Sequence, residues 1–147
     1  MSGKHSMSDN RSFVDTNILV YAHDETAGEK GDRARSLLAE LWESGEGCLS
    51  VQVLQEFFVT VTRKIPKPLD AVSAAAIIAD FSHWHVHSPG SDDVLSAIDS
   101  HRRHEISFWD AMIVCSAASL GCGVLYSEDL NPGQQYEGVR ARNPFLP

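Results

Sequence analysis

Short apolar runs alternate along the chain with longer segments in which apolar residues recur at helical spacing. Strands are predicted at the short runs, 12–14, 48–50, 83–88, 124–127 and 139–142. Helices are predicted at the periodic segments, 18–22, 29–43, 51–64, 70–82, 92–104 and 108–120. Because strands alternating with helices are typical of a parallel sheet covered on both faces, the pattern predicts an α/β fold with three layers, α/β/α, around a central parallel sheet of four to five strands.

The predicted helix over 51–64 has two unlike faces. Its apolar stripe is formed by Val51, Leu54, Phe58, Val61 and Ile65. At about 100° per residue, Glu56 falls nearly opposite this stripe, beside Gln52, Thr60 and Arg63. A solvent-exposed polar face is the ordinary interpretation, so Glu56 becomes a functional candidate only if other acidic residues converge on it.

The predicted strand over 83–88 places His83, His85 and His87 on one face, because side chains alternate with a period of two. Imidazole is a good ligand for zinc. No cysteine lies nearby in the sequence to complete such a site, however, and Trp84 and Val86 supply the apolar alternation of a strand with one polar face. A polar strand face is therefore favoured over a zinc site.

The composition predicts a single globular domain over 12–147. A chain of 147 residues that is 43% hydrophobic and 22% charged matches a globular protein. Residues 1–11 are polar and lack the apolar region of a secretory signal, so they are expected to be a disordered leader or an expression remnant. No run of about 18 or more consecutive apolar residues occurs, which predicts no membrane span. The three cysteines, which form no C-x-x-C pair, favour a cytoplasmic location.

The net charge limits any nucleic-acid function to local features of the surface. Twelve basic and twenty acidic residues give a formal charge of −8, so the molecule as a whole repels phosphate backbones. Candidate chemistry is expected where the strands end, because ligands of open parallel sheets bind outside the carboxyl ends of the strands.

Acidic residues follow two of the predicted strands. Asp15 comes directly after 12–14, where an ordinary helix N-cap is an equally good explanation. Asp129 follows the strand 124–127 and, taken alone, is typical of a turn. Asp110 is the only formally charged residue between 106 and 127, although it also fits a capping box with Ser107. Convergence of these acids with Glu56 above the sheet is what would favour function.

Convergence would impose a chemical requirement. Several carboxylates within a few ångströms raise each other's pKa and cannot all stay ionised without a cation. A hard divalent ion such as Mg²⁺ takes oxygen ligands and suits phosphodiester hydrolysis, because it lowers the pKa of bound water and stabilises charge on the phosphate. It also reverses the sign of the local field, which reconciles the charge of −8 with a phosphate substrate.

Four sequence pieces and the C-terminal NPF carry a family resemblance. The pieces are FVDTNILVYA at 13–22, LQEFF at 54–58, FWDAMIV at 108–114 and LYSEDL at 125–130. Together they resemble a PIN domain, specifically a VapC-type toxin endoribonuclease of a type II toxin–antitoxin system, and the resemblance runs from about 12 to 146. The first and third pieces are the specific ones.

The resemblance implies Mg²⁺- or Mn²⁺-dependent cleavage of single-stranded RNA or RNA loops by a metal-activated water, leaving a 3′-hydroxyl and a 5′-phosphate. It implies four metal-binding, catalytic carboxylates: Asp15, Glu56, Asp110 and Asp129. Glu128 is an alternative to Asp129 as the fourth acid. Supporting residues are Thr16, Asn17, Ser127 and Glu128.

Partners are also implied by the resemblance. A small VapB-like antitoxin would place a basic residue among the carboxylates, and a homodimer is expected, with 51–65 or 71–81 as candidate interfaces. RNA backbone contacts are expected first from Arg63, Lys64 and Lys67, then from Arg102 and Arg103. For Trp109, core packing is favoured over stacking on a base.

Two other classes of protein share some of these features. A PIN-like binding module without activity would keep the acids for structure. A phosphotransfer protein also gathers acids at strand ends, but a haloacid-dehalogenase-like nucleophile would need a second aspartate where Asn17 stands.

Overall fold

The structure, a computed structural model, describes residues 10–147. Its strands are β1 (Ser12–Val14), β2 (Gly47–Ser50), β3 (His85–His87), β4 (Val124–Tyr126), β5 (Gln135–Tyr136) and β6 (Val139–Arg142). Its helices are α1 (Thr16–Ala22), α2 (Glu29–Ser44), α3 (Val51–Arg63), α4 (Ala71–Phe81), α5 (Ser91–His104) and α6 (Phe108–Ser119). The leader predicted over 1–11 lies outside the described residues, apart from Asn10 and Arg11.

The strands form one sheet in the order β3-β2-β1-β4-β6-β5, parallel except for the antiparallel pair β5 and β6. Helices α1 to α4 pack among themselves, while α5 packs on α6, and α6 contacts β2, β4 and β6. This is the predicted three-layer architecture. Among the described residues, no helix is both long enough and apolar enough to cross a bilayer.

The centre of the sheet is apolar on both faces. In β1, Phe13 and Val14 are fully buried, and Phe13 lies in register with Cys48 of β2 and Leu125 of β4. A strand covered by helices on both sides must bury successive residues, which explains why β1 reads as a short continuous apolar run rather than an alternating one. The carboxyl ends of β1 and β4 therefore meet at one edge of the sheet.

Helix α3 buries a different face from the predicted one. Val53, Phe57 and Val61 are completely buried, whereas Leu54 and Phe58 of the predicted stripe are only partly buried. The face is rotated because α3 packs against both α1 and α4 as well as β2. Gln52 is consequently buried, which contradicts the fully solvated polar face expected for it.

Two strands differ from the prediction. Strand β3 covers His85–His87, so His83 lies outside it in the turn after α4. Strand β5, which was not predicted, forms a two-residue hairpin with β6 through Glu137 and Gly138, both at positive φ (51° and 82°). A two-residue strand is too short to produce a periodic signal, so the sheet has six strands instead of four to five.

Candidate functional site

The ends of β1 and β4 bring two acidic segments together. Val14 pairs with Tyr126 in the parallel register, and the Asp15 amide donates to the Tyr126 carbonyl at 3.0 Å. The next residues of the two strands, Asp15 and Ser127, therefore face each other at the carboxyl edge of the sheet. This is the edge at which ligands of open parallel sheets bind.

Asp15 is buried and held by two hydrogen bonds. Only 6% of its surface is exposed. Its Oδ1 accepts from the Thr16 amide at 2.7 Å, and its Oδ2 accepts from the Ser127 hydroxyl at 2.8 Å. Asp15 is thus the N-cap of α1, as the ordinary explanation required, and the same carboxylate also faces the other acids.

Asp15, Asp110 and Asp129 form a tight group. Each offers a carboxylate oxygen that lies within 4.8 Å of those of the other two. Asp110 reaches the group from the first turn of α6, which Ser107 caps by accepting from the Asp110 amide at 3.0 Å. Asp129 is steadied by Asn17, whose Nδ2 donates to Asp129 Oδ2 at 3.3 Å. Three separate segments of the chain converge here.

Glu56 is not part of this group but lines the same cleft. Its Oε1 accepts from the Thr16 hydroxyl at 2.6 Å, and its Oε2 accepts from Gln52 Nε2 at 3.2 Å. Thr16 therefore contacts Glu56 through its side chain and Asp15 through its backbone amide. The cleft has a volume of about 290 Å³, and we call it the acidic cleft; its walls include Asp15, Thr16, Asn17, Gln52, Glu56, Thr60, Lys64, Trp109, Asp110 and Asp129.

Glu128 and Asp129 are adjacent in sequence but lie in different surroundings. Glu128 accepts from Lys30 Nζ at 2.8 Å and from the Tyr21 hydroxyl. Lys30 in turn lies 5.0 Å from the centre of the Tyr21 ring and 5.4 Å from that of Phe145. Of the two candidates for the fourth acid, Asp129 is the one that the geometry places with Asp15 and Asp110.

The acids of the group retain protons more strongly than ordinary carboxyls. Burial raises the pKa of Asp15 to about 7, against the opposing hydrogen bonds from Ser127 and Thr16 and with further repulsion from Asp129 and Asp110. Burial first, and then the charges of Asp129 and Glu56, raise the pKa of Asp110. Burial and the charges of Glu128 and Glu56 raise the pKa of Asp129. The fold therefore disfavours the charged form of all three carboxyls.

The donor set fits a hard divalent cation. Every candidate ligand is a carboxylate oxygen, the type that Mg²⁺ and Mn²⁺ prefer. Two oxygens on opposite sides of Mg²⁺ are about 4.2 Å apart, so a group within 4.8 Å is already close to the size of a coordination shell. Asp15, Asp110 and Asp129 could hold such an ion, and Glu56 lines the same cleft.

The five basic candidates for RNA contact separate into different places. Lys64 lines the acidic cleft. Lys67 pairs with Glu25 at 3.4 Å. Arg103 is bound to Asp99 at 2.8 Å and to Glu137. Arg63 and Arg102 are exposed on the last turns of α3 and α5.

Two residues of the cleft did not follow from the sequence. Trp109, expected in the core, is 61% exposed and lines the cleft beside Asp110. Gln52, placed on a solvated face, is buried and donates both to Glu56 and to the Trp109 carbonyl at 3.3 Å. The hydrogen bond between Gln52 and Glu56 could be anticipated from their four-residue spacing on one helix face. The contact of Gln52 with the Trp109 carbonyl had no such signal in the sequence.

Comparison with known proteins agrees with this architecture. The sequence profile of the PIN domain matches residues 12–135. Comparison with individual curated proteins gives no match.

Several solved structures share the fold. VapC20 of Mycobacterium tuberculosis, a toxin that cleaves the sarcin–ricin loop, has a TM-score of 0.63 at 24% identity, covering 80% of this chain and 89% of that one. DNA-bound VapBC from Salmonella typhimurium has a TM-score of 0.62 at 18% identity, covering 91% and 98%. FitAcB from Neisseria gonorrhoeae has a TM-score of 0.58 at 13% identity, also covering 91% and 98%.

The profile match spans most of the chain and contains the segments that supply Asp15, Glu56, Asp110 and Asp129. The resemblance predicted from the sequence pieces is thereby confirmed at the level of the family, and the solved structures agree with it in fold. The chain belongs to the PIN domain family.

Proposed function

We propose that this protein is a divalent-metal-dependent endoribonuclease and the toxin of a toxin–antitoxin pair that inhibits growth or translation. The observation that carries the proposal is the convergence of Asp15, Asp110 and Asp129, from three separate segments, on one group of unneutralised carboxylates. Membership of the PIN domain family and the likeness in fold to VapC20, a toxin that cleaves RNA at the sarcin–ricin loop, support the same activity.

In this mechanism the carboxylates act as ligands and no side chain attacks the substrate. Mg²⁺ or Mn²⁺ bound at Asp15, Asp110 and Asp129 would lower the pKa of a bound water and would stabilise negative charge on the phosphate. Ser127 and the Thr16 amide fix the Asp15 carboxylate, and Asn17 fixes that of Asp129. Glu56, oriented by the hydrogen bonds that Thr16 and Gln52 donate to it, would accept a hydrogen bond from a ligand in the same cleft. The expected products carry a 3′-hydroxyl and a 5′-phosphate.

The proposed inhibitor is a small VapB-like antitoxin with a basic arm. An arginine inserted into the acidic cleft would form charge-assisted hydrogen bonds with the aspartates and would exclude the metal. The likeness in fold to VapBC supports such a partner. We also propose a homodimer, which is in keeping with the exposure of Val59 on α3 and Val72 on α4. The three buried, free cysteines are consistent with action in the cytoplasm.

Cleavage of single-stranded RNA, measured with Mg²⁺ or Mn²⁺ and again with EDTA, tests the proposal. We expect cleavage that requires the metal and is lost in Asp15→Asn and Asp110→Asn. Cleavage that survives EDTA and both substitutions would refute the metal-dependent mechanism. A folded protein that binds RNA without cutting it would favour the PIN-like binding module, and an acyl-phosphate would favour the phosphotransfer class.

The cellular form of the test is a map of cut sites in total RNA after induced expression of the intact chain and of Asp110→Asn. Discrete cuts found only with the intact chain are expected, and they would also identify the RNA target. The inhibitor is tested by titrating a co-expressed small basic partner against cleavage, where full activity at saturation would contradict the antitoxin part of the proposal.

A further inference from the structure

Trp109 presents a large aromatic surface to solvent at the rim of the acidic cleft. Its indole is 61% exposed although it adjoins Asp110, and it lines the same cleft as the three aspartates. Apart from the buried Ile113, the other side chains that line the cleft are polar or charged. Because Trp109 is exposed beside a polar site, its ring is available to stack on a flat ligand bound in the cleft.

Trp109 has one contact through its ring and another through its backbone carbonyl. The Phe108 ring packs edge-on against it, with ring centres 5.0 Å apart and an interplanar angle of 73°. Gln52 Nε2 donates to the Trp109 carbonyl at 3.3 Å and to Glu56 at 3.2 Å, so both amide hydrogens of Gln52 are used. The backbone of Trp109 is thus tied to a carboxylate of the cleft. A ring that packs against Phe108 loses less conformational entropy, when a flat partner stacks on it, than a freely rotating ring would lose.

Helix α3 extends the cleft away from this ring. Gln52, Glu56, Thr60 and Lys64 recur every four residues and all line the cleft. At 1.5 Å per residue, the twelve steps along the chain from Gln52 to Lys64 correspond to about 18 Å. The cleft therefore has an aromatic end at Trp109, carboxylates in the middle and a cationic end at Lys64.

We propose that Trp109 is a stacking platform for an unpaired nucleobase of the RNA substrate, beside the scissile phosphate, and that Lys64 contacts a backbone phosphate farther along α3. This inference rests on the proposed nuclease function and assigns the place in the cleft where an unpaired base of the RNA is held. Aromatic platforms combined with cations along the backbone are how proteins bind single strands without reading base edges, because every base offers a π-face.

Binding is tested by tryptophan fluorescence in the Asp15→Asn background, which separates binding from cleavage. The probe is a dodecameric oligoadenylate, and the same strand annealed to its complement is the control ligand. We expect the single strand to quench the emission and the duplex to quench it much less. Quenching should disappear in Trp109→Phe and persist in Trp42→Phe, a matched control whose indole is 44% exposed in a different groove, beside Ile77 and Phe81.

Affinity provides the second measurement. Trp109→Ala should raise the Kd for the oligoadenylate about tenfold, whereas Trp109→Phe, which retains a ring, should stay within about threefold of the parent. In the cleaving protein, Trp109→Ala should raise KM more than it lowers kcat. Equal quenching in Trp109→Phe and its parent, or an unchanged Kd in Trp109→Ala, would overturn the proposal.

The outcomes separate this inference from the nuclease proposal. Quenching that maps to Trp109 in a protein without nuclease activity would support the platform and refute the proposed function. Normal cleavage with unchanged KM in Trp109→Ala would refute the platform and leave the nuclease standing. A loss of dimer in Trp109→Ala with an unchanged Kd for RNA would assign the indole to a protein contact and overturn the proposal. Absence of both cleavage and quenching would refute both.

Discussion

Acidic side chains have basic partners in one region of this protein and none in another region of the described residues. Glu137, in the turn between β5 and β6, accepts from the Ser100 hydroxyl at 2.8 Å, from the Arg103 guanidinium and from His104 Nε2 at 3.1 Å. Burial acts to raise the pKa of Glu137, but these hydrogen bonds and the charge of Arg103 outweigh it, so the pKa is lowered. We call these four residues the Glu137 cluster.

The acidic cleft has the opposite electrostatics. Within residues 10–147, no Lys, Arg or His side chain forms an ion pair with Asp15, Asp110 or Asp129. Burial, followed by repulsion from neighbouring carboxylates, raises the pKa of each of these carboxyls. The Glu137 cluster carries its own counter-charge and is complete as it stands. Among the described residues, the three aspartates of the acidic cleft have no such ion pair, and this difference favours a cation or a basic group from outside the chain.

The largest expected effect is on catalysis. Asp15→Asn and Asp110→Asn should each lower the rate of RNA cleavage by about 1000-fold or more, because metal-ion catalysis contributes several kcal/mol. Glu137→Gln, which alters an acid of the complete cluster, should stay within about threefold of the unchanged protein. The measurement is initial cleavage rate at saturating metal, and comparable losses in all three variants would remove the distinction between the clusters.

Metal binding should raise the free energy of unfolding through the acidic cleft and not through the Glu137 cluster. At a Mg²⁺ or Mn²⁺ concentration of about 100 times Kd, the free energy of unfolding should rise by about 2.7 kcal/mol. Chemical denaturation with metal and with EDTA measures this difference. The gain should be largely lost in Asp110→Asn and retained in Glu137→Gln. A metal effect of the same size in both variants would place the ion elsewhere.

The pH dependence of stability should have opposite signs at the two clusters when metal is absent. The folded protein keeps a proton on Asp15 up to about pH 7, whereas the unfolded chain releases it near 3.8, so the folded state binds more protons between these values. Stability contributed by Asp15 therefore falls as pH rises through this window. At a pH above this window, Asp15→Asn should stabilise the metal-free protein by on the order of 1–3 kcal/mol.

Glu137 provides the opposite case. Its folded pKa is lowered, so its contribution is complete above the pKa of the unfolded chain and is lost as pH falls through the folded pKa. Thermal melts of Asp15→Asn, Glu137→Gln and the unchanged protein across pH check both signs. A stability that rises with pH at Asp15 would contradict the assigned burial of that carboxyl.

The smallest expected effect concerns RNA binding by basic residues. Lys64 lines the acidic cleft, whereas Arg103 is occupied by Asp99 and Glu137. Lys64→Ala should reduce the slope of log Kd against log salt by about 0.7, the value for one phosphate contact on a single strand. Arg103→Ala should leave the slope unchanged and lower stability instead. A reduced slope in Arg103→Ala would indicate that RNA also contacts α5.

Much of this arrangement was predictable because it depends on neighbours in sequence. Asp15 after an apolar run and Asp110 alone in an apolar segment are local patterns, and both residues lie in the tight group. The six helices were predicted because each has its own periodicity or capping residue, such as Ser50 before α3 and Ser107 before α6. The two-residue strand β5 was missed because it exists only through its pairing with β6.

Packing against distant elements determined what the sequence pattern left open. Glu128 and Asp129 are adjacent acidic residues, and the sequence does not distinguish their roles. In the structure, Lys30 and Tyr21 donate hydrogen bonds to Glu128, whereas Asp129 lies with Asp15 and Asp110. Contacts with two other helices rotated the buried face of α3 and placed Gln52 against the backbone of Trp109.

The order of residues over short stretches of sequence was enough to predict which residues cap helices, which strands are buried and which acids follow strands. These properties depend on backbone geometry over a few residues. The direction in which a side chain points, and whether a charge meets a partner, depends on contacts between residues about a hundred positions apart, such as Asn17 with Asp129 and Ser127 with Asp15. Such contacts form only when the helices close over the sheet, so the exposure of Trp109 and the unneutralised state of the acidic cleft became visible in the folded molecule alone.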